Sequence, residues 1–330
     1  MPSDIETLAR GVLLPVSNNM RVEDHLLAFL DQGGRAVLFG EEGDEFQTGR
    51  LRPARLAEET PEFVGRTLEA LRARAGGLLV ACDADLAAVN RLQGLAGELP
   101  TLVTAQNLPD DQLYTILHDH ARRARALGFT LFLSPTADLI VENAWLEGRT
   151  LGPEPVARRL VDLNVRAIEA AGVTSALKHF PGHPRLTGNP SQGVATVLSD
   201  REEILSHLGA FRQGIASGAG GVVLSSAVFP AFGGPANLSP EVTHLLRRDL
   251  GFKGLVVTLD LDHPACLGDA TLAEVCRRAL VAGADLLLLS PQGARQIPQI
   301  AHHLARTVDD GTLPLDRLTA AATQTRRLAL

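Results

Sequence analysis

Residues 171–183 read Ala-Gly-Val-Thr-Ser-Ala-Leu-Lys-His-Phe-Pro-Gly-His. A glycine stops the preceding helical pattern, a short apolar run follows, and Lys178 and His179 stand at its end. Gly172 can supply the left-handed C-cap from which a chain reverses into a sheet. Phe180-Pro181-Gly182 then turns the backbone away at once. A core asks for neither a strong cation nor a titratable imidazole at this place. The unit reads as a strand that delivers polar groups to the rim of a sheet.

The same unit recurs along the chain. Apolar, β-prone runs occupy 11–16, 36–40, 77–83, 128–134, 175–180, 221–226, 254–260 and 285–290. They are continuous rather than alternating, as strands covered on both faces must be. Helical spacing fills 111–127, 154–171, 200–217 and 239–250, and Ser239-Pro240 opens the last with an N-cap and a proline at the first helical position. Gly128, Gly251 and Gly283 end helices as Gly172 does. Eight strands with regular crossovers and no Pro/Ser-rich linker predict an α/β chain folded as one (β/α)8 TIM-type barrel over residues 1–330. A doubly wound open sheet is the alternative. No strand is followed by G-x-G-x-x-G or G-x-x-x-x-G-K-[ST], so nucleotide binding has no support.

Composition narrows the class. The 330 residues are 45% hydrophobic and only 4% aromatic, so aliphatic side chains fill the core. A net charge of −7 argues against a general nucleic-acid binder. The basic patch Arg122-Arg123-Ala124-Arg125 falls in a helical pattern and reads as a solvated face. No apolar run reaches the roughly 18 residues that span a bilayer. The residues from Met1 to Glu6 lack the basic and apolar stretches of a secretory signal. Cys82, Cys266 and Cys276 are too few and too scattered for a disulfide framework or a zinc site, and read as small buried residues. The expectation is a soluble cytoplasmic protein with no metal, cofactor, membrane or nucleic-acid partner.

In a barrel the site lies at the C-terminal ends of the strands. Polar residues gather there: Asp83 closes the third run, Ser134 to Asp138 follow the fourth, and Lys178 and His179 end the fifth. Ser225 and Ser226 end the sixth, and Asp260 and Asp262 lie at the close of the seventh. One such Asp is usually a helix cap. Several on one rim, beside Lys and His, suit a hydroxyl-rich ligand, because charged groups make the strongest hydrogen bonds to hydroxyls. Asp83, Arg149, Lys178 and His179 form the predicted hydroxyl-binding set.

Lys178-His179-Phe180-Pro181-Gly182-His183 resembles the signature of family 3 glycoside hydrolases, especially the bacterial β-N-acetylhexosaminidases that act on peptidoglycan fragments. Four further segments are similar in order. Leu78 to Asp83 looks like the strand whose terminal Asp holds sugar hydroxyls. Gly148 to Pro155 is similar to the family's Arg-Ser-Phe-Gly-x-Asp-Pro segment. Gly251 to Thr258 resembles the run leading to the nucleophile, and Ala282 to Asp285 the approach to the last strand.

The resemblance also implies a nucleophilic Asp directly after Thr258, where this chain has Leu259. It implies an acid/base His in the loop after the signature, where the spacing gives Ser191. The loop 184–193 holds no Asp, Glu or His. After Asp83 the family's Gln-Glu-Gly-Gly-Arg is replaced by Ala84-Asp85-Leu86-Ala87-Ala88, and Ser226 stands where a His is expected. The nearest groups of the right chemistry are Asp260 and Asp262 for the nucleophile and His183 for proton transfer. A retaining pair of carboxyls must lie about 5–5.5 Å apart, and a one-residue shift along a strand reverses the side-chain direction. Three readings follow: a glycosidase using substitute groups, a non-catalytic sugar or muropeptide binder, and other small-molecule chemistry at Lys178 and His179, such as a Schiff base.

Overall fold

Eight parallel strands close on themselves. The computed structural model describes residues 3–86, 89–139, 145–146 and 148–329. Ala87, Ala88 and the first two residues lie outside the described residues. The barrel strands are β1 (Leu13–Ser17), β2 (Ala36–Phe39), β3 (Leu79–Cys82), β4 (Leu131–Phe132), β5 (Thr174–Phe180), β6 (Gly221–Leu224), β7 (Leu255–Val257) and β8 (Leu287–Leu289). Each pairs with its neighbour in sequence, and β1 pairs with β8. A parallel bridge from Val257 to Leu286 joins β7 to β8 and closes the ring. The open-sheet alternative is thereby excluded, because no edge remains.

Each strand lies inside its expected run except β1 and β5. β1 extends to Ser17, and β5 starts at Thr174. Leu14, Leu38, Leu79, Ala81, Leu131, Ala176, Val223, Leu255, Val257 and Leu288 fill the barrel interior. Their neighbours Leu13, Val37, Val80, Leu177, Val222 and Val256 face the helices. Burial on both sides at period two is what made these runs look unbroken in sequence. Leu328 and Ala329, at the end of the helix Leu315–Leu328, pack against the interior cluster.

Gly128 and Gly283 end their helices at φ of 117° and 111°, a backbone that side chains rarely adopt. Two helical expectations change. The 200–217 pattern is split into Arg201–Ser206 and Gly209–Ala216, and 239–250 into Pro240–His244 and a π-helical turn, Leu245–Asp249. A second, antiparallel-and-parallel sheet of four two-residue strands (Leu186–Thr187, Thr196–Val197, Val228–Phe229 and Gly234–Pro235) was not legible in sequence. Strands that short carry no periodicity. They knit the segments that follow β5 and β6 to one another.

Candidate functional site

The C-terminal ends of the strands enclose a cavity of about 500 Å³. Its apolar floor includes Val16, Leu38, Leu133 and Leu288, the top of the barrel interior, and its wall includes Asp83, Arg149, Lys178, His179 and Asp260. The predicted hydroxyl-binding residues therefore meet around one space. Lys178 and His179 are consecutive, yet both line it. The pairing register of β5 slips between Leu177 and Phe180, and such an irregularity re-aims side chains that strict alternation would oppose.

Lys178 is the hub. Its Nζ lies 2.5 Å from Asp83 Oδ1 and 2.5 Å from Asp85 Oδ2. Burial opposes its charge, but the two carboxylates outweigh burial and hold the amine protonated. Asp85 was read in sequence only as a departure from a motif. It is buried, and its Oδ1 accepts from the Thr136 amide at 3.0 Å and from Thr136 Oγ1 at 3.2 Å. The bonds from the Asp85 amide to the Val89 carbonyl and from the Arg91 amide to the Asp83 carbonyl pin the turn that carries both acids.

A second polar chain runs behind the cavity wall. His179 Nδ1 lies 2.7 Å from Asp138 Oδ2, and His183 Nδ1 lies 2.9 Å from Asp138 Oδ1. His183 Nε2 is 2.7 Å from Ser225 Oγ, which also accepts the Ala227 amide. With both Nδ1–H groups donating to Asp138, Ser225 donates to His183 Nε2, and both His183 nitrogens and both Asp138 oxygens are engaged. Burial would raise the Asp138 pKa, but His183 and His179 hold the carboxyl well below the usual carboxylate range. The three donor atoms lie within 4.8 Å of one another, close enough to consider a metal. Yet the carboxylate already neutralises two imidazole protons that a metal would have to displace, so the arrangement fits a hydrogen-bonded chain better.

This chain yields a direct test. Asp138→Asn turns one carboxylate oxygen into an N–H that faces an imidazole N–H, which should cost ~1–3 kcal/mol. A carboxyl with a depressed folded pKa stabilises above its unfolded value and loses that contribution as pH falls. The wild type should therefore weaken on acidification from about pH 5 downward, and Asp138→Asn should weaken less over that span. Urea unfolding at both ends of the range checks it, and an equal pH loss in both proteins would refute it.

The remaining sequence candidates separate. His183 does not line the cavity: its side chain is 1% exposed and both nitrogens are occupied. Asp262 also turns away, because Ser290 donates to it from both its amide and its hydroxyl. Asp260 does line the cavity. Alternation had argued against it, but β7 ends at Val257, and beyond a strand's end period two no longer applies. Burial, with the Asp262 carboxylate beside it, pushes the Asp260 carboxyl up to about 7.

Leu259 and Ser191, the two positions of mismatch, line the same cavity. Leu259 packs on the barrel interior and continues the inward row of Leu255 and Val257. Asn237 fixes its backbone, accepting its amide at 3.1 Å. Ser191 is exposed, and its amide and hydroxyl both bond Asn189 Oδ1 in a tight local turn. His263 was missed by sequence reasoning. It caps the helix Pro264–Leu267 by accepting the Ala265 amide at 3.1 Å and, like Pro190 and Ser191, lines the cavity.

Comparison with known proteins adds an independent line. The family described as glycosyl hydrolase family 3 N terminal domain matches residues 62–328. The β-hexosaminidase LpqI of Mycobacterium tuberculosis (strain ATCC 25618 / H37Rv) is 28% identical over 256 residues, covering 72% of this chain and 64% of LpqI. A β-hexosaminidase of Stenotrophomonas maltophilia (strain R551-3) is 30% identical over 222 residues, covering 64% of this chain and 66% of the relative. The chain thus matches just under two thirds of each relative's length. A solved glycoside hydrolase family 3 β-N-acetylglucosaminidase from Paenibacillus sp. str. FPU-7 superposes with a TM-score of 0.85 at 26% identity, over 99% of this chain and 62% of the other.

Proposed function

The chain belongs to glycosyl hydrolase family 3, and on that premise we propose that it binds N-acetylhexosamine-containing, peptidoglycan-derived sugars at the barrel mouth without hydrolysing them at an ordinary enzymatic rate. The observation that carries the reading is Leu259. It stands where the resemblance calls for the nucleophile, its side chain packs against the barrel-interior cluster at the cavity, and an alkyl group cannot attack an anomeric carbon. Asp83, Arg149, Lys178 and His179 around the cavity support retained binding. They offer a carboxylate acceptor and cationic donors to a ring of hydroxyls.

Calorimetric titration with N-acetylglucosamine and a muropeptide fragment tests it. Binding should be measurable in the wild type and at least about tenfold weaker in Asp83→Ala, the loss of a charged hydrogen bond worth ~1.5–3 kcal/mol. Equal affinity in the two proteins would remove the assignment.

A second reading, hydrolysis through a substitute group, is favoured by one observation. Asp260 lines the cavity with a carboxyl near 7, the range suited to proton transfer. Any turnover should then vanish in Asp260→Asn. Schiff-base chemistry at Lys178 lacks comparable support, because a nucleophilic amine must be neutral and two carboxylates keep this one charged.

A further inference from the structure

We propose that Glu41, at the end of β2, determines specificity by donating a hydrogen bond from an uncharged carboxyl to an acceptor oxygen of the bound sugar. The inference rests on the cavity being a carbohydrate site and adds to it a contact of opposite sense. Asp83, as a carboxylate, can only accept. Glu41 beside it would give.

Glu41 follows Gly40 one residue after β2, and both residues line the cavity together with Asp83. Its Oε1 is sealed from solvent and has no hydrogen-bond partner among the described residues. A polar atom buried in that state costs ~1–3 kcal/mol, and contact with a ligand falls to the other carboxyl oxygen, Oε2.

The charges facing Glu41 come from four places. Asp83 at the end of β3 repels it, while Arg55, Arg91 and Lys178 attract it. Arg55 and Lys178 are already committed, whereas Arg91 bonds through Nη2 alone and leaves Nε and Nη1 unpaired among the described residues. Arg55 pairs with Glu45 and Glu59 and donates to the Gly40 carbonyl at 2.8 Å. Arg91 holds Glu59 at 2.5 Å, and Lys178 holds Asp83 and Asp85. None of these bonds reaches Glu41. Burial and then Asp83 dominate, pushing the carboxyl up to about 8. At neutral pH the group keeps its proton and is a donor as well as an acceptor.

N-acetylglucosamine is the fair probe, since it carries no charge over the range of interest. Calorimetric affinity of the wild type should hold between pH 6 and 7 and fall about tenfold from pH 7 to pH 9, as a donor with a pKa of about 8 loses its proton. Glu41→Gln keeps an N–H donor and removes the titration, so its profile should be flat from pH 7 to pH 9. Its affinity at pH 7 should exceed that of Glu41→Ala. Circular dichroism establishes that each variant is folded.

Three results would overturn the proposal. The wild-type profile could be flat, or Glu41→Gln could retain the fall, which would assign it to another group such as Asp260. Alternatively, glucosamine could bind the wild type more tightly than N-acetylglucosamine, with the preference lost in Glu41→Gln. Glu41 would then be an anion pairing with an ammonium. A wild type that binds no sugar at any pH is a different failure, because it removes the carbohydrate reading itself.

Discussion

Lys178→Met should destabilise the protein by about 3–5 kcal/mol, the usual cost of removing one partner from a buried ion pair. Lys178 is 7% exposed and Asp85 is 4% exposed, and Asp85 has no other cation within bonding distance among the described residues. Met fills the volume of the lysine stem but leaves two carboxyls 2.5 Å from where the ammonium stood. One of them must then take up a proton or draw in water. Each kcal/mol should lower the melting temperature by about 1–2 °C, since the unfolding entropy grows with chain length. The added variant Asp85→Asn should recover part of the loss, since it removes one of the stranded charges. Chemical denaturation of the single and double variants decides the matter. A loss below 1 kcal/mol, or no recovery in the double variant, would mean that the triad is solvated and that Lys178 is free for other work.

The wild type should fail to turn over an aryl β-N-acetylglucosaminide at the usual enzymatic scale of about 1–10³ s⁻¹, whereas Leu259→Asp should raise the rate at least about 10²-fold. At 1.36 kcal/mol per decade that gain is ~2.7 kcal/mol of barrier. The activated leaving group is chosen because it departs without protonation. The geometry favours the experiment: residue 259 packs against the barrel-interior cluster, lines the cavity, and has its backbone fixed by Asn237. Adding Ser191→His should contribute less than the ~10²–10⁴ typical of general acid–base catalysis. Residue 191 is exposed in a turn closed on Asn189, and a histidine there would lose the hydroxyl bond that closes it. Stopped-flow measurement of aryl release reads both variants. Wild-type turnover on the ordinary scale would show that another carboxyl, Asp260 first, has taken the role.

The barrel was readable before any coordinates because its causes are local. Runs such as 77–83 and 254–260 are apolar at every position since both faces are covered, and glycines at 128 and 283 mark where helices must stop. The rim residues Asp83, Lys178 and His179 were readable for a related reason: polar side chains at the ends of apolar runs have few structural explanations. Leu259 was identified by its place in a sequence pattern, and the structure adds why the position tolerates an alkyl group. It extends the apolar plug of the barrel by one layer.

What remained hidden depends on contacts between distant segments. Asp85 meets Lys178 across 93 positions of sequence, and burial, then the Asp83 carboxylate, push the Glu41 carboxyl up. His183 carries the same pKa class as any histidine in sequence. Its partners Asp138 and Ser225, each more than 40 positions away, close both nitrogens and take it out of the cavity. Asp260 and Asp262 are two residues apart with the same side chain. Asp262 is captured by Ser290 from β8's far end, while Asp260 faces the ligand space. Sequence alone determined which chemical groups reach the rim, because strand length and turn residues are short-range properties. Only the tertiary structure decided which of them are free, paired or protonated, because burial and charge partners are set by the closing of the ring.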